Sequence, residues 1–320
     1  MGLFGADQRI ELSLWAFAAA VRLLYLAAAR PAFVIYYWEA ASNLLLDGSL
    51  SLEGVKTASW EPLYPLFLGA MQLVVGDRPL LVQAVQALVA SAGAVYLYKL
   101  AFALTTKRRV GIVAATLFAV YPLLVHHSID GTESALLTTL LIAFAYHFVT
   151  MRTMVDAATA GGWLGLVTLT RAVAWPLLLV APIAAARSGR RAIVMAGAAV
   201  LVLLPYAIRN YTLNGAIVPA RGGINLLIGN SEYSAGVIAD YGPGVLLPYA
   251  ESRIAAEGLV DVTRTPEVEQ RRDAAYRRLA PGPSPTAISR PLSRSRKRIV
   301  PRPGGRLVSA GSSGTTATTS

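Results

Sequence analysis

Cysteine is absent from the 320-residue chain, and charged residues make up only 15% of it. Without cysteine there can be no disulfide framework, no thiolate metal site and no cysteine nucleophile. Soluble domains usually carry about a quarter charged residues, whereas 55% of this chain is hydrophobic. The composition excludes an ordinary soluble domain and indicates a membrane protein whose main surroundings are the lipid bilayer.

The net charge of +11 is unevenly distributed along the chain. Residues 281–320 contain seven Lys or Arg and no acid, which leaves +4 for residues 1–280. This last segment is rich in Pro, Ser, Gly and Thr, a composition that cannot bury a core, so we predict a disordered basic tail. Because the basicity belongs to the tail, it gives no reason to expect nucleic acid as a partner.

Long apolar runs predict an all-α fold, a polytopic bundle of about seven membrane-spanning helices within residues 1–208. A helix needs about 20 mainly apolar residues to cross a bilayer. Residues 62–76 are apolar but short, and we expect them to form a re-entrant or interfacial helix. The predicted spans are residues 11–29, 79–104, 110–126, 134–150, 155–170, 172–186 and 192–208.

The basic residues between these spans predict how the chain is oriented. Lys and Arg in short loops stay on the cytoplasmic side of a membrane. With a cytoplasmic N-terminus, one side carries Lys107, Arg108, Arg109, Arg152, Arg187, Arg190 and Arg191. The outer face of the cell membrane then carries the loop of residues 30–78 and the segment 209–280.

The first outer loop holds two candidate acids, Glu39 and Glu61. Helical spacing in YYWEAASNLLLDG predicts an amphipathic interfacial helix that carries Glu39 and ends at Asp47-Gly48. Glu61 precedes a proline in WEPLYP, which disfavours helical geometry there. Irregular backbone at membrane depth survives where protein or a water-filled cavity surrounds it. We therefore expect Glu61 to face a cavity.

The second outer loop begins with Arg209 and Asn210, directly after the last predicted span. Glycines 222, 223 and 229 alternate there with Asn225 and Asn230. This pattern predicts tight turns with exposed backbone N–H groups, which suit an anionic ligand. Arg171 lies at the outer membrane boundary, where a charge is expensive unless it lines a polar cavity or snorkels.

Five segments, taken in order, resemble the GT-C fold of polytopic membrane glycosyltransferases, family 39-like enzymes that include protein mannosyltransferases and the lipid A aminoarabinose transferase. The segments are YYWEAASNLLLDG, EPLYPLFLGA, YPLLVHHSIDGTESALLTTLL, GLVTLTRAVAWPLLL and LPYAIRNYTLNGAIVPARGGINLLIGN. The resemblance covers residues 10 to 280. It implies an enzyme that moves a sugar from a polyprenyl-phosphate donor to a lipid, glycan or protein acceptor on the outer face.

The resemblance also implies roles for individual residues. An acid of the first loop would be the general base, and this sequence leaves either Glu61 or Glu39 for that role, because Ala32 to Ile35 replace the acid that many members carry before the paired tyrosines. Arginines at loop starts would bind the donor phosphate: Arg209, Arg221 and Arg171. Residues expected to contact substrate are Tyr37, Tyr64, Asn210, Asn225 and Asn230. No cofactor or metal is implied, and His126-His127 is expected to be an interfacial pair.

Two other interpretations are compatible with the sequence. A transporter would place its ionisable groups near mid-membrane on broken helices. Family members generally carry further spans where the basic tail begins, so the chain is alternatively a truncated or frame-shifted, inactive membrane fragment from about residue 280 onward. The clustering of acids and arginines in the outer loops favours the enzyme.

Overall fold

The computed structural model describes residues 6–30, 35–52, 54–219, 222–230, 254–255 and 265–280, and most of them lie in α-helices. The first half contains α1 (Ala6–Ala29), α2 (Ile35–Asp47), β1 (Ser51–Leu52), β2 (Val55–Lys56), α3 (Leu63–Val75), α4 (Pro79–Thr105) and α5 (Arg108–Val120). The second half contains α6 (Pro122–His127), α7 (Ser134–Val149), α8 (Met154–Thr170), α9 (Leu177–Ala184), α10 (Arg190–Asn214), α11 (Gly222–Asn230) and α12 (Pro266–Leu279). The fold is therefore helical, and β1 and β2 pair only as a minimal antiparallel hairpin.

Helix boundaries follow local chemistry. The end of α2 at Asp47 is followed by Gly48 with a φ of +65°, a backbone conformation that favours glycine. The Thr153 and Asp156 side chains form a reciprocal capping box at the start of α8. Glu61 lies outside any helix and α3 begins two residues later, which confirms the boundary predicted from the Glu61-Pro62 pair.

Three helices within the described ranges are long and apolar enough to cross a membrane: Asp7–Ala29 in α1, Pro79–Thr105 in α4 and Arg190–Asn214 in α10. Many of their large apolar side chains are exposed, for example Leu24 at 71% and Ile193 at 74%. Soluble monomers rarely expose large continuous apolar patches. Length, composition and surface are thus compatible with a location in a membrane.

Two predicted spans are interrupted. The run 110–126 divides into α5 and α6, because Tyr121 is extended and Pro122 supplies no backbone N–H to continue the helix. The run 172–186 consists of a 3₁₀ turn at Ala172–Ala174, the eight-residue α9 and a second 3₁₀ turn at Ala186–Ser188. The expectation of a continuous helix over either run was wrong.

The main core lies where α3, α4, α7, α8 and α10 meet, and α8 and α10 approach most closely. A Cβ on Gly161 would collide with the Met195 carbonyl, and one on Gly165 would lie 2.7 Å from Cβ of Val202. Both glycines therefore let the two helix backbones pack together. Gly162, by contrast, has open space beside it.

The second outer loop differs from its prediction in two respects. Arg209 and Asn210 belong to α10, which continues to Asn214. Residues Gly222–Asn230 form helix α11 instead of tight turns, because that helix packs on α12 through Leu227 and Tyr276. These helices belong to one compact unit, Met1–Pro281, and both Arg221 and the basic tail lie outside the described residues.

Candidate functional site

Three segments next to helix ends bring two acids, Glu61 and Glu133, close to the segment that contains Arg171. Glu61 precedes α3, Glu133 precedes α7, and Arg171 follows α8 in extended backbone. The side chain of Glu61 is buried, and its Oε1 accepts a hydrogen bond from the Ala172 backbone N–H at 2.7 Å. Glu61 is thereby held against the residue next to Arg171.

Glu133 contacts Arg171 itself. Its Oε1 lies 3.4 Å from Nη1 of Arg171, with the glutamate buried and the arginine side chain 47% exposed. We refer to Glu61, Glu133 and Arg171 as the acid–arginine cluster. Because the Arg171 guanidinium pairs with Glu133 and remains accessible, while Glu61 is held at the next residue, the cluster combines a proton acceptor with a cation that can meet an incoming anion.

Aromatic side chains form one wall beside this cluster. Tyr37 makes edge-to-face contacts with Trp60 and Tyr64, each with ring centroids 5.0 Å apart. The Tyr64 hydroxyl donates to Oε1 of Gln86 at 2.7 Å, and Gln86 donates to the Thr132 carbonyl at 3.4 Å. These bonds join α3 and α4 to the turn before Glu133, so the wall and the cluster are held together.

A partly exposed His127 paired with the buried Asp130, which the sequence did not predict as part of a site, lies in the same turn. Nδ1 of His127 is 2.6 Å from Oδ2 of Asp130. Oδ1 of Asp130 accepts from both the backbone N–H and the hydroxyl of Thr132, so the carboxylate fixes the turn. The Asp-Gly-Thr sequence is typical of such a turn and was the available signal.

Arg209 lies in a different arrangement, in which its partners are backbone carbonyls. Its Nη2 donates to the carbonyls of Leu50 and Thr57, each at 3.1 Å, and its Nη1 donates to Oδ1 of Asn210 at 3.2 Å. One turn earlier, the Tyr206 hydroxyl donates to the Trp60 carbonyl at 2.9 Å. Arg209, expected to bind phosphate, thus holds α10 against the segment between α2 and α3.

Glu269 of α12 fastens the same loop from a second direction. Its Oε1 accepts from the Thr57 hydroxyl at 2.8 Å and its Oε2 accepts from the Ala58 N–H at 3.1 Å. We refer to Arg209, Glu269 and Thr57 as the loop anchor. The sequence gives no sign of this contact, because the bonded residues are 212 positions apart.

The remaining predicted site residues lie on α2, α10 and α11. Glu39 is half-buried on α2, the helix that also carries Tyr37, and Asn210 is fully buried. Asn225 and Asn230 are exposed on α11, and the Asn230 amide donates to the Leu226 carbonyl of its own helix. The structure therefore brings Glu61, Arg171, Tyr37 and Tyr64 to one place and leaves the two asparagines on α11.

Within the described ranges, no three His, Asp or Glu side chains are grouped so that they could hold a metal ion. The chemistry that the acid–arginine cluster offers is proton transfer by a carboxylate and binding of a negatively charged group by a guanidinium. Both are needed when a hydroxyl displaces a phosphate.

The sequence matches no family model, and comparison with curated proteins and with solved structures gives no significant match. The described part of the chain is helical, with three helices apolar enough to cross a membrane and, between helix ends, two buried acids beside an accessible arginine. The resemblance to GT-C glycosyltransferases stays a prediction.

Proposed function

We propose that the protein is a polytopic membrane glycosyltransferase that moves a sugar from a polyprenyl-phosphate donor to an acceptor hydroxyl. The observation that carries the proposal is the convergence of Glu61 and Glu133 on the Arg171–Ala172 segment. These residues come from three separate connections between helices. A carboxylate and an accessible guanidinium are the two groups that such a transfer requires.

The proposed arrangement has about seven spans, a cytoplasmic N-terminus and the site on the outer face. Contacts between basic loops support it: Arg108 pairs with Asp7 at the start of α1 at 3.0 Å. Arg191, at the start of α10, donates to the carbonyls of Met151 and Arg152 at 3.2 and 2.9 Å. The basic residues of these loops thus meet helix starts that the charge rule assigns to the same, cytoplasmic side.

In the proposed reaction, the acceptor hydroxyl attacks the anomeric carbon while the Glu61 carboxylate takes its proton. A new carbon–oxygen bond forms, and the bond from the anomeric carbon to the phosphate oxygen breaks with its electron pair leaving on the phosphate. Arg171 stabilises that charge as it develops. General-base catalysis of this kind contributes roughly 10²- to 10⁴-fold. The half-buried Tyr37 provides an aromatic surface against which the sugar ring packs, whereas Tyr64, which was also expected to contact substrate, is fully buried and packs edge-to-face against Tyr37.

Glu39 remains the alternative base, and the experiment distinguishes the two acids. Transfer of labelled sugar from a polyprenyl-phosphate donor is measured in proteoliposomes for the wild type, Glu61→Gln, Glu39→Gln and Glu133→Gln. Glu267→Gln, which changes an acid in the first turn of α12, is the matched control. We expect loss of transfer for Glu61→Gln and normal transfer for the control. Normal transfer in Glu61→Gln together with loss in Glu39→Gln assigns the base to Glu39.

A transporter is a second candidate function, and one observation favours it. Arg22 is almost completely buried in α1, and α5 breaks next to it at Tyr121, as expected for an ionisable group on discontinuous helices. The same proteoliposomes separate the two functions. A transporter moves the labelled compound across the bilayer without changing it, whereas the proposed enzyme yields a glycosylated acceptor.

A further inference from the structure

Arg22 is a buried cation without an acidic partner among the described residues. It lies in α1 with 1% of its surface exposed, and its Nη1 donates to the carbonyls of Ala18 and Ala119 at 3.1 and 3.4 Å. The buried Nε has no hydrogen-bond partner. The guanidinium carbon lies 5.2 Å from the centre of the Phe118 ring. A buried charge that lacks a counter-charge costs several kcal/mol, so a compensating group is expected at this place.

A cavity of about 30 Å³ opens beside this guanidinium. By the room that one water molecule needs, about 10–15 Å³ on the same measure, the cavity holds about two waters or one monatomic ion. Apolar side chains form much of its wall, and the polar groups come from α1, α6 and α7. The lining residues are Arg22, Ala90, Phe118, Leu124, His127, Ser134, Ala135, Thr138 and Thr139.

Helix α7 contributes Ser134, Ala135, Thr138 and Thr139 to the lining of the cavity. Ser134 and Ala135 are the first residues of this 16-residue helix, and the Glu133 side chain makes no capping bond to it. The first N–H groups of a helix lack partners within the helix and carry a partial positive charge. The Arg22 guanidinium and the first turn of α7 therefore both border the cavity.

The two acids that flank this helix start are engaged elsewhere. Asp130 binds His127 and Thr132, and Glu133 pairs with Arg171. Neither is within ion-pair distance of Arg22 in the described part of the chain. The single positive charge of Arg22 therefore matches one negative charge, and removing a doubly charged ion from water would cost far more in a cavity with apolar walls.

We propose that this cavity is a binding site for one small monovalent anion of the size of chloride, held by Arg22, the Ser134 hydroxyl and the start of α7. The site is separate from the acid–arginine cluster, and the proposal does not depend on the proposed transferase activity. The anion compensates the buried guanidinium and ties α1, α5 and α7 together at the place where α5 ends.

The test uses the full chain purified in detergent, with chloride replaced by gluconate and then restored. Binding of ³⁶Cl⁻ at equilibrium and the unfolding temperature are measured for the wild type, Arg22→Met, Ser134→Ala and Arg9→Gln. The last variant removes an exposed arginine from the same helix and is the matched control. We expect saturable binding of one chloride per chain, lost in Arg22→Met and unchanged in Arg9→Gln. Loss of the Ser134 hydrogen bond is expected to weaken binding about tenfold.

The proposal is overturned if the wild type binds no chloride saturably, since water alone would then fill the cavity. It is also overturned if Arg22→Met still binds, or if inorganic phosphate displaces chloride at equal concentration. Should Arg22→Met fail to fold, Ser134→Ala decides: weaker chloride binding supports the site, and binding equal to that of the wild type contradicts it.

Discussion

The acid–arginine cluster and the loop anchor both hold the segment between α2 and α3, yet they use their charges differently. In the cluster, Arg171 faces the carboxylate of Glu133 and keeps about half of its side chain accessible. In the anchor, Arg209 donates to the carbonyls of Leu50 and Thr57. An arginine whose N–H groups donate to backbone carbonyls has a structural role. An arginine that pairs with a side chain and remains accessible can exchange that partner for a ligand.

The comparison shows that residue type and loop position do not separate the two roles. Arg171 and Arg209 both lie beside predicted outer loops, and both were expected to bind phosphate. What differs is whether backbone carbonyls of another segment lie within reach. Packing of the helices decides which carbonyls are near. Substitutions in the acid–arginine cluster should therefore lower activity and leave stability nearly unchanged, whereas substitutions in the loop anchor should lower stability.

The largest effect is expected for Glu61→Gln on activity. Loss of the proton-accepting carboxylate should lower sugar transfer by roughly 10²- to 10⁴-fold. Folding should be little changed, because the Gln side-chain oxygen can still accept the Ala172 N–H bond. The measurement is initial transfer rate together with the unfolding midpoint, and Glu267→Gln is the control. If Glu61→Gln destabilises the protein, Glu61 has a structural role instead.

The next effect is expected for Arg209→Met on stability. Two loop carbonyls lose a charged donor, so the free energy of unfolding should fall by about 2–4 kcal/mol. Denaturant unfolding in detergent measures this change, with Arg78→Met, an arginine that precedes α4, as the control. If Arg209→Met unfolds like the wild type but no longer transfers sugar, then Arg209 binds the donor and its assignment to a structural role is wrong.

A smaller effect is expected for Glu269→Gln. One carboxylate oxygen is replaced by an amide donor that would face the Thr57 hydroxyl or the Ala58 N–H, so about 1–2 kcal/mol of local stability should be lost. Hydrogen exchange of residues 50–58 measures this opening. Glu267→Gln, two positions earlier on the same helix, should leave the exchange unchanged. Equal protection in both variants would remove Glu269 from the anchor.

The smallest effect on folding is expected for Arg171→Met. Half-exposed ion pairs contribute about 0–1 kcal/mol, so the unfolding midpoint should move little, although transfer should fall sharply. Unfolding is measured beside that of Arg209→Met under the same conditions. A loss of stability as large as that of Arg209→Met would abolish the distinction between the two groups.

Much of the helical framework could be predicted from the sequence. The helix ending at Asp47, the start of α3 after Pro62 and the positions of α4 and α7 all follow from periodicity, Pro and Gly. The broken run 172–186 was missed because hydropathy outweighed Pro176 and Pro182. Helix α11 was missed because Gly223, which local propensity assigns to a turn, allows its backbone N–H to reach the Asp273 carboxylate.

The candidate site was predictable only in part. Proline geometry identified Glu61, and the cost of charge at a membrane boundary identified Arg171, and both lie in one cluster. The carbonyl partners of Arg209 and the contact of Glu269 with Thr57 depend on chain segments more than 150 positions apart. No local pattern encodes such pairings, because packing of the helices brings these segments together.

The hydrogen bond between Thr57 and Glu269 can form only late in the synthesis of the chain. The loop emerges from the ribosome early, while the carboxylate that closes it is made 212 residues later. At about 5–20 residues per second, that interval is about 10–40 s. During this time the segment between α2 and α3 has only its nearer partners, so this surface reaches its final form after the last described helix is translated. Helix α12 thus closes the contact that completes assembly of this surface.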